Sequence, residues 1–176
     1  MVSSTALSFL AVLLLLAAAG APASAAEKET RLRVYWHDVV SGGPNATAVQ
    51  VAEAPSSNAS ATGFGSVVVI DNSLTDGPNL TSRLLGRAQG VYVSAGKDSL
   101  SLFVAMNFVF IDGEYNGSSI AIIGPNRADP AVREMPVVGG TGVFRFARGY
   151  CQLRTHWFDA KTGDATVEYK IHLRHD

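Results

Sequence analysis

The sequence of 176 residues contains a single cysteine, Cys151, so a disulfide within one chain is excluded. Charge is also scarce, with 14 lysine and arginine residues against 15 aspartate and glutamate residues, a formal net charge of −1. No run of lysine or arginine occurs, which argues against nucleic acid or an anionic membrane surface as a partner. The fold must be stabilised by packing, and a hydrophobic content of 47% suits one globular domain.

The motifs of common cofactor-dependent and hydrolytic enzymes are missing as well. The chain has no GxxxxGKS or GxxxxGKT, no GxGxxG that opens a helix, no HExxH and no GxSxG. Its four histidines lack the spacing of metal ligands, and the cysteine has no second cysteine to share a metal: His37, His156, His172 and His175. We therefore predict no metal, no cofactor and no redox activity of its own.

The first 26 residues contain no charged side chain. Within them, residues 8–20 form the apolar run SFLAVLLLLAAAG, and the small residues ASAA follow a few positions later. This pattern predicts a signal peptide over residues 1–26, cleaved near Ala25 or Ala26, and export of the mature chain, residues 27–176. A retained membrane anchor is the alternative, but the run is shorter than a membrane-spanning helix needs.

Four N-x-S/T sequons follow the predicted signal peptide. In a secreted chain they are candidate acceptors of N-linked glycans on exposed loops. The predicted glycosylation sites are Asn45, Asn58, Asn79 and Asn116.

Most of the mature chain alternates apolar and polar residues. Residues 164–174, DATVEYKIHLR, are the clearest case and predict a β-strand with one buried face. Further strands are predicted near residues 31–40, 46–53, 63–71, 86–95, 99–111, 117–123, 143–149 and 150–159. No apolar stripe has helical spacing. We predict an all-β, single-domain, eight-stranded antiparallel β-barrel, which we prefer to a sandwich because closure removes exposed sheet edges.

One predicted strand contains a carboxylate. Residues 34–40, VYWHDVV, place Asp38 on the face shared with Val34, Trp36 and Val40, and that face should be buried. A buried charge without a partner is costly, so either a structural donor pairs with Asp38 or the residue lines a cavity for a polar ligand. The alternation alone leaves both interpretations open.

Four other polar residues in apolar segments also have two interpretations. Asp71 suits a turn cap, and Tyr92 suits an ordinary core tyrosine with a satisfied hydroxyl. Arg87 and Arg133 suit structural ion pairs with a carboxylate such as Glu134 or Asp71. Each of the four has a binding-site interpretation as well, but taken singly none of them indicates a function.

Taken together, these segments resemble the plant dirigent protein family. The resemblance rests on VYWHDVV, GFGSVVVIDNSLT, GRAQGVYV, MNFVF, GEYNGSSIAIIG and VREMPVVGGTGVFRFARGY, which occur in that order across almost all of the mature chain. It implies a calycin-like barrel, secreted to the plant cell wall space, or apoplast, often glycosylated and assembled as a homotrimer or alternatively a dimer.

The resemblance also implies a function without a cofactor. In this family a separate laccase or peroxidase oxidises a monolignol such as coniferyl alcohol, and the barrel binds the phenoxy radicals so that they couple with one stereochemistry. The implied role is in phenylpropanoid and lignan biosynthesis, with links to plant defence. The implied ligand is therefore a phenolic small molecule, and the oxidase is a functional partner.

The matching motifs imply which residues of this chain form the site. Asp38 matches the pocket aspartate that takes part in proton transfer, Tyr92 the pocket tyrosine, and Arg133 the arginine that stabilises developing negative charge. Phe103 and Asn126 are assigned to substrate binding. Asn126 stands where lignan-forming members have a second acid.

Three departures place the chain closer to the broader dirigent-like branch than to the lignan-forming one: Asn126, Ser94 in place of a second tyrosine, and the lone Cys151. Some members of that branch are cyclising dehydratases. The alternative function is therefore a lyase or cyclase that acts on a quinone methide or a related phenolic precursor, with Asp38 as general acid. A module that binds a cell-wall phenolic or glycan in defence is a second alternative.

Overall fold

A computed structural model describes residues 27–176, and the predicted signal peptide lies outside these described residues. Residues 27–176 contain nine strands and four short 3₁₀ turns, joined by loops. The strands are β1 Lys28–Asp38, β2 Ala48–Ala52, β3 Val67–Thr75, β4 Leu84–Ser94, β5 Ser101–Phe110, β6 Ser119–Arg127, β7 Arg133–Thr141, β8 Arg148–Phe158 and β9 Ala165–His175. Among the described residues, no helix is long and apolar enough to cross a membrane.

The strands form one antiparallel sheet that closes on itself. Strand order is β1-β9-β8-β7-β6-β5-β4-β3-β2, and an additional β1–β3 pairing joins the two sides. Closure therefore gives the predicted eight-stranded antiparallel barrel, while β2 is a ninth strand that pairs with β3 beside the ring. The closing seam is short and runs only from Tyr35–Thr75 to His37–Ser73.

A buried histidine supports this seam. The His37 ring lies within hydrogen-bond distance of two hydroxyls, with Nε2 2.7 Å from Thr75 Oγ1 and Nδ1 3.2 Å from Thr166 Oγ1. These partners belong to β3 and β9, the neighbours of β1 on either side. Burial lowers the pKa of His37, which favours the neutral ring that can both donate and accept.

The predicted strands overlap those of the structure except around β7, but β3 lies at 67–75 rather than 63–71 and β6 at 119–127 rather than 117–123. Residues 133–141 form this strand, whereas the strand predicted at 143–149 is wrong, since the chain there makes a 3₁₀ turn at Gly142–Phe144 before β8 begins. The sequence did not predict β7 because the segment contains Pro136 and two adjacent glycines, and proline has no N–H to donate to the hydrogen bonds of a β-ladder. In the structure the β6–β7 register ends at Ile122–Val137, so Pro136 lies beyond that ladder and pairs with Tyr150 of β8.

Side chains that point into the barrel form the core, and its two ends differ in polarity. At one end Phe110, Tyr115 and Phe144 pack together, with ring centroids 4.9–5.9 Å apart. We call this the apolar end. The middle is filled by buried side chains: Leu74, Met106, Phe108, Ile120, Ile122, Met135, Leu153, Tyr169 and Ile171. The other end carries the polar residues described below.

The outside of the barrel carries an apolar surface over β3 to β6. Cross-strand register places Val69, Val91, Ala105 and Ile123 side by side, and Phe103 adjoins this row between Val93 and Pro125. Val69, Phe103 and Ile123 are each more than 40% exposed. We call these neighbours the outer apolar face. Sheets with one solvated face usually carry polar residues there, so this surface is unusual for an isolated chain.

Candidate functional site at the polar end of the barrel

Four strands bring polar side chains to the same end of the interior. Asp38 is the last residue of β1, Tyr92 lies near the end of β4, Asn126 near the end of β6, and Arg133 is the first residue of β7. Antiparallel order makes these ends coincide, because neighbouring strands run in opposite directions. We call this the polar end. Four residues predicted to form the site thus share one region of the fold.

Asp38 is the buried acid of the polar end, with 7% of its surface exposed. Its carboxylate accepts two hydrogen bonds, from Asn72 Nδ2 to Oδ1 at 3.0 Å and from the Tyr92 hydroxyl to Oδ2 at 3.2 Å. Burial raises the pKa of Asp38 to about 6, although both hydrogen bonds oppose the rise. The acid therefore exchanges a proton readily in mildly acidic solution.

Asn72 is fixed by a chain of hydrogen bonds that returns to the backbone next to Asp38. Its side chain is fully buried, and its Oδ1 accepts from Thr47 Oγ1 at 2.5 Å. Thr47 Oγ1 in turn accepts from the backbone N–H of Val39 at 3.2 Å. This chain occupies the amide oxygen, so the Asn72 amide presents its N–H₂ group to Asp38.

Tyr92 acts as a donor in this arrangement. Burial, together with the neighbouring Asp38 charge, raises the pKa of its phenol above its ordinary value of 10.0. The group stays protonated at any physiological pH, and its proton points to the carboxylate. Tyr92 thus stabilises the Asp38 anion once a proton has left.

Arg133 reaches the same interior from β7. One terminal nitrogen, Nη2, donates to Thr155 Oγ1 at 2.8 Å, and Nε is buried without a hydrogen-bond partner. Burial lowers the pKa of the guanidinium, while the Tyr169 hydroxyl nearby acts in the opposite direction. Burial raises the pKa of Tyr169, with Cys151 and Asp38 acting in the same direction and the Arg133 charge opposing them.

Three buried side-chain nitrogen or oxygen atoms in residues 27–176 have no hydrogen-bond partner: Trp36 Nε1, Asn126 Oδ1 and Arg133 Nε. All three belong to side chains on the interior face, since Trp36 pairs with Val167, Asn126 with Leu102 and Arg133 with Leu153. Unpaired buried donors and acceptors cost about 1–3 kcal/mol each and call for an explanation. The interior of the polar end thus holds two donors and one acceptor that no described protein group satisfies.

The structure does not bring every predicted residue to this site. Phe103 lies on the outer apolar face, 44% exposed, because strand alternation points Leu102 and Val104 inward instead. Val40 was predicted to share the buried face with Asp38, but β1 ends at Asp38 and Val40 is 41% exposed. Phe103 therefore belongs to a different surface from the acid.

Arg87 and Asp71 lie on the outside of the barrel and bind each other, so neither belongs to the interior site. Arg87 Nε donates to Asp71 Oδ1 at 2.9 Å, so the ion pair expected of an ordinary strand arginine is confirmed. Asp71 does not cap a turn, since β3 continues through Thr75. Within residues 27–176 no group of three or more histidine, cysteine, aspartate or glutamate side chains is placed to hold a metal.

Sequence reasoning missed Asn72 and Trp36. The predicted strand stopped at residue 71, which left Asn72 in a turn, although its even spacing from the buried Ile70 indicates an inward position. Trp36 was placed on the buried face only as an apolar neighbour of Asp38. No pattern reveals that an indole N–H lacks a partner, because that depends on packing.

Fold and site together define a class of protein: a closed antiparallel barrel with one buried, hydrogen-bonded acid at the polar end of its interior. Residues 29–174 match the sequence model of the family described as dirigent-like protein. The chain belongs to this family.

Comparisons with individual proteins agree. Dirigent protein 7 of Arabidopsis thaliana is 55% identical over 85% of this chain and 78% of its own length. Pterocarpan synthase 1 of Glycyrrhiza echinata is 46% identical over 85% of this chain and 79% of its own length. A solved structure of a pterocarpan synthase dirigent protein superimposes with a TM-score of 0.81 at 46% identity, covering 88% of this chain and 89% of that one.

Proposed function

We propose that this barrel binds a phenolic substrate at its polar end and directs the stereochemistry of a bond formed to a quinone methide, with Asp38 as the proton-transfer group. One observation carries the proposal: a buried carboxyl with a pKa of about 6, held by Asn72 and Tyr92 beside an apolar interior. A general acid works best when its pKa is close to the operating pH. The name of the pterocarpan synthase relatives supports a cyclising role.

The proposed reaction is a cyclising dehydration. Protonated Asp38 donates its proton to a benzylic hydroxyl, the C–O bond breaks and water leaves. The substrate phenol para to that carbon releases its own proton to solvent, which gives a neutral quinone methide. A second phenolic oxygen then forms a C–O bond to the methide carbon and returns its proton to the Asp38 carboxylate, while the quinone oxygen regains a proton. The net change is loss of one water.

The unpaired atoms of the site would hold the substrate for this step. Arg133 and the Trp36 indole N–H can each donate to a ligand oxygen, and the Asn126 amide oxygen can accept from a phenol. A cation beside the quinone oxygen stabilises the negative charge that develops there as the new bond forms. Since Asn126 is neutral, Asp38 is the acid among these residues that can cycle its proton.

Radical coupling is the second candidate, supported by membership of the family and by relatives named as dirigent proteins. Here a separate laccase or peroxidase supplies monolignol radicals, and the same residues orient the coupled quinone methide. The protein needs only modest selectivity, because a hundredfold preference between two products corresponds to about 2.8 kcal/mol. Both routes share the step that Asp38 and Arg133 would serve.

One experiment separates the routes. The mature chain is incubated with a panel of benzylic alcohol phenols without oxidant, and in parallel with coniferyl alcohol and a laccase, and the products are separated on a chiral column. Turnover without oxidant supports the dehydratase, and enantiomeric excess only with laccase supports directed coupling. If there is no turnover without oxidant and no enantiomeric excess with laccase, the protein is a binding module.

Variants connect the result to the site. We expect Asp38→Asn to lose oxidant-free turnover and Arg133→Ala to lose product selectivity, with the fold retained. The matched control is Asp71→Asn, which also removes an aspartate but on the outer face, where Asp71 pairs with Arg87. If Asp38→Asn and Asp71→Asn leave products equally unchanged, Asp38 does not carry the chemistry.

We also propose that the chain is a secreted glycoprotein. Asn45, Asn58, Asn79 and Asn116 are all exposed, which glycan attachment requires. Expression in a eukaryotic host with and without glycosidase treatment tests this by mass, and N-terminal sequencing of the exported chain locates the cleavage site. An intact residue 1 on the exported protein would contradict the signal peptide.

A homo-oligomer, most simply a trimer, would cover the outer apolar face. This assembly accounts for the exposed Phe103 and its neighbours Val69 and Ile123, which a lone chain leaves in water. Light scattering measures the assembly directly. We expect Phe103→Asp to give a monomer with an unchanged fold.

A further inference from the structure

The barrel gathers basic side chains on one outward surface. Strands β1, β9 and β8 are neighbours, and their outward-facing residues include six cations: Arg31, Arg33, Arg148, Arg154, Lys170 and Arg174. We call this set the basic face. Three carboxylates lie beside these cations, Glu29 and Glu168 on the same strands and Glu27 paired with Arg148, which leaves a formal charge of 6 − 3 = +3, although the whole chain has −1.

Four of these cations form two cross-strand pairs, and the repulsion within each pair destabilises the folded sheet. Register pairs Arg33 with Lys170 across β1 and β9, and Arg148 with Arg174 across β8 and β9. Like charges directly opposite in a sheet are destabilising. Each of these four cations has a carboxylate within 4.0 Å, but Arg33 and Lys170 share one, Glu168, which balances only half of that pair. Arg31 and Arg154 lie within 4.0 Å of no carboxylate in residues 27–176.

A flat aromatic surface lies within the basic face. The rings of Tyr150 and His172 stack with centroids 4.8 Å apart and an angle of 10° between their planes. They line a groove of about 390 Å³ together with Arg31, Arg148, Arg174 and one carboxylate, Glu29, which pairs with Arg174. The groove thus combines guanidinium groups with a planar surface on which a ring can lie.

We propose that the basic face binds a linear polysaccharide that carries a carboxylate on each sugar. Arginine guanidinium groups bind carboxylates through paired hydrogen bonds. Neighbouring strands are about 4.8 Å apart and alternate residues about 7 Å apart along a strand, so the cations form a grid suited to a regularly charged polymer. The predicted export and the exposed sequons favour a polysaccharide over nucleic acid.

This surface is separate from the candidate active site. Arg31 and Asp38 are seven residues apart on β1, which corresponds to about 23 Å at 3.3 Å per residue. The groove also lies on the outside of the barrel, whereas Asp38 points inward. A bound polymer would therefore retain the protein on an anionic matrix and leave the polar end free.

The test measures binding of polygalacturonate to the mature chain at low and moderate salt. We expect the triple variant R31Q/R148Q/R174Q to lose at least tenfold in affinity, and Tyr150→Ala to weaken binding at unchanged charge. The control R83Q/K97Q/R127Q removes three charges elsewhere and should bind like the wild type. Thermal unfolding checks that all variants fold.

The other arms use methyl-esterified polygalacturonate, which lacks the carboxylates, and a single-stranded oligonucleotide. Weak binding of both supports the proposal. Equal binding of the ester, preference for the oligonucleotide, or equal loss in the control variant would overturn it. Product formation at Asp38 is measured on the same variants and should be unchanged, so failure here is distinct from failure of the proposed catalytic function.

Discussion

Replacing Asp38 by asparagine should stabilise the protein while it abolishes proton transfer. Asparagine has nearly the same shape, and its amide can accept from Asn72 and donate to the Tyr92 hydroxyl. What it removes is a charge buried at 7% exposure. Functional residues often cost stability in this way, and their removal reveals the cost.

The magnitude follows from the acid's titration. Asp38 has a folded-state pKa of about 6 against an ordinary value of 3.8. Above pH 6 both states carry the charge and the folded state bears the penalty. Below pH 3.8 both are protonated and the penalty vanishes. As the pH rises from 3.8 to 6, the wild-type free energy of unfolding should therefore fall by about 3 kcal/mol, at 1.36 kcal/mol per pH unit.

The assay is urea unfolding at pH 4 and pH 7.5, followed by tryptophan fluorescence. Protein concentration is held fixed, because an oligomer makes the midpoint depend on it. We expect the wild type and Asp38→Asn to differ little at pH 4, and the variant to be more stable by about 3 kcal/mol at pH 7.5, with equal m-values.

The control has the opposite sign. The hydrogen bond and charge of Arg87 lower the pKa of Asp71, so that carboxylate contributes stability at neutral pH that is lost in acid. Asp71→Asn should therefore be less stable than the wild type at pH 7.5. If Asp38→Asn behaves in the same way, the buried carboxylate is a net stabilising group and the reasoning about the site is wrong.

Four further predictions follow from the same geometry. Oxidant-free turnover should fall as pH rises through about 6, because Asp38 loses the proton it donates. Trp36→Phe removes an unpaired indole N–H, so stability should change little while substrate affinity, by calorimetry, falls about 5- to 10-fold. Arg133→Met should abolish enantiomeric excess on a chiral column without lowering the melting temperature by more than a few degrees. Gly149→Ala should cost about 1–3 kcal/mol in urea unfolding, since its Cβ would collide with the His172 carbonyl oxygen.

Each of these has an outcome that contradicts it. A flat pH profile would remove Asp38 as the general acid, and unchanged affinity of Trp36→Phe would mean that the indole N–H faces no ligand. Retained selectivity in Arg133→Met would leave the arginine a structural role. A neutral Gly149→Ala would mean that β8 and β9 separate more easily than their register indicates.

The sequence predicts the barrel because strand alternation is local. Asp164–Arg174 alternates along its whole length, and β9 is that strand with a shift of one residue at each end. Residues 133–141 were not predicted as a strand because Pro136 normally argues against one. Only the partner register shows that β7 leaves β6 at Val137, so that proline there lies beyond the ladder.

The site was only partly predictable, for a physical reason. Asp38 could be singled out because a carboxylate among apolar residues is anomalous in any strand. Asn72 is a common turn residue, and its role depends on the hydrogen bond from Thr47. The basic face was invisible, since its cations are spread from residue 31 to 174 and only the β1-β9-β8 order collects them.

The short seam between β1 and β3 has a dynamic consequence. It spans only Tyr35–His37, whereas β1 and β9 pair from Lys28 to Asp38, so transient opening of the wall should begin there. Amide hydrogens in this part of β3 should exchange with deuterium sooner than those of β9. Because Asn72 lies on one side of the seam and Asp38 on the other, each opening would also release the acid from its amide donor. The same motion would then admit solvent and free the acid to exchange its proton.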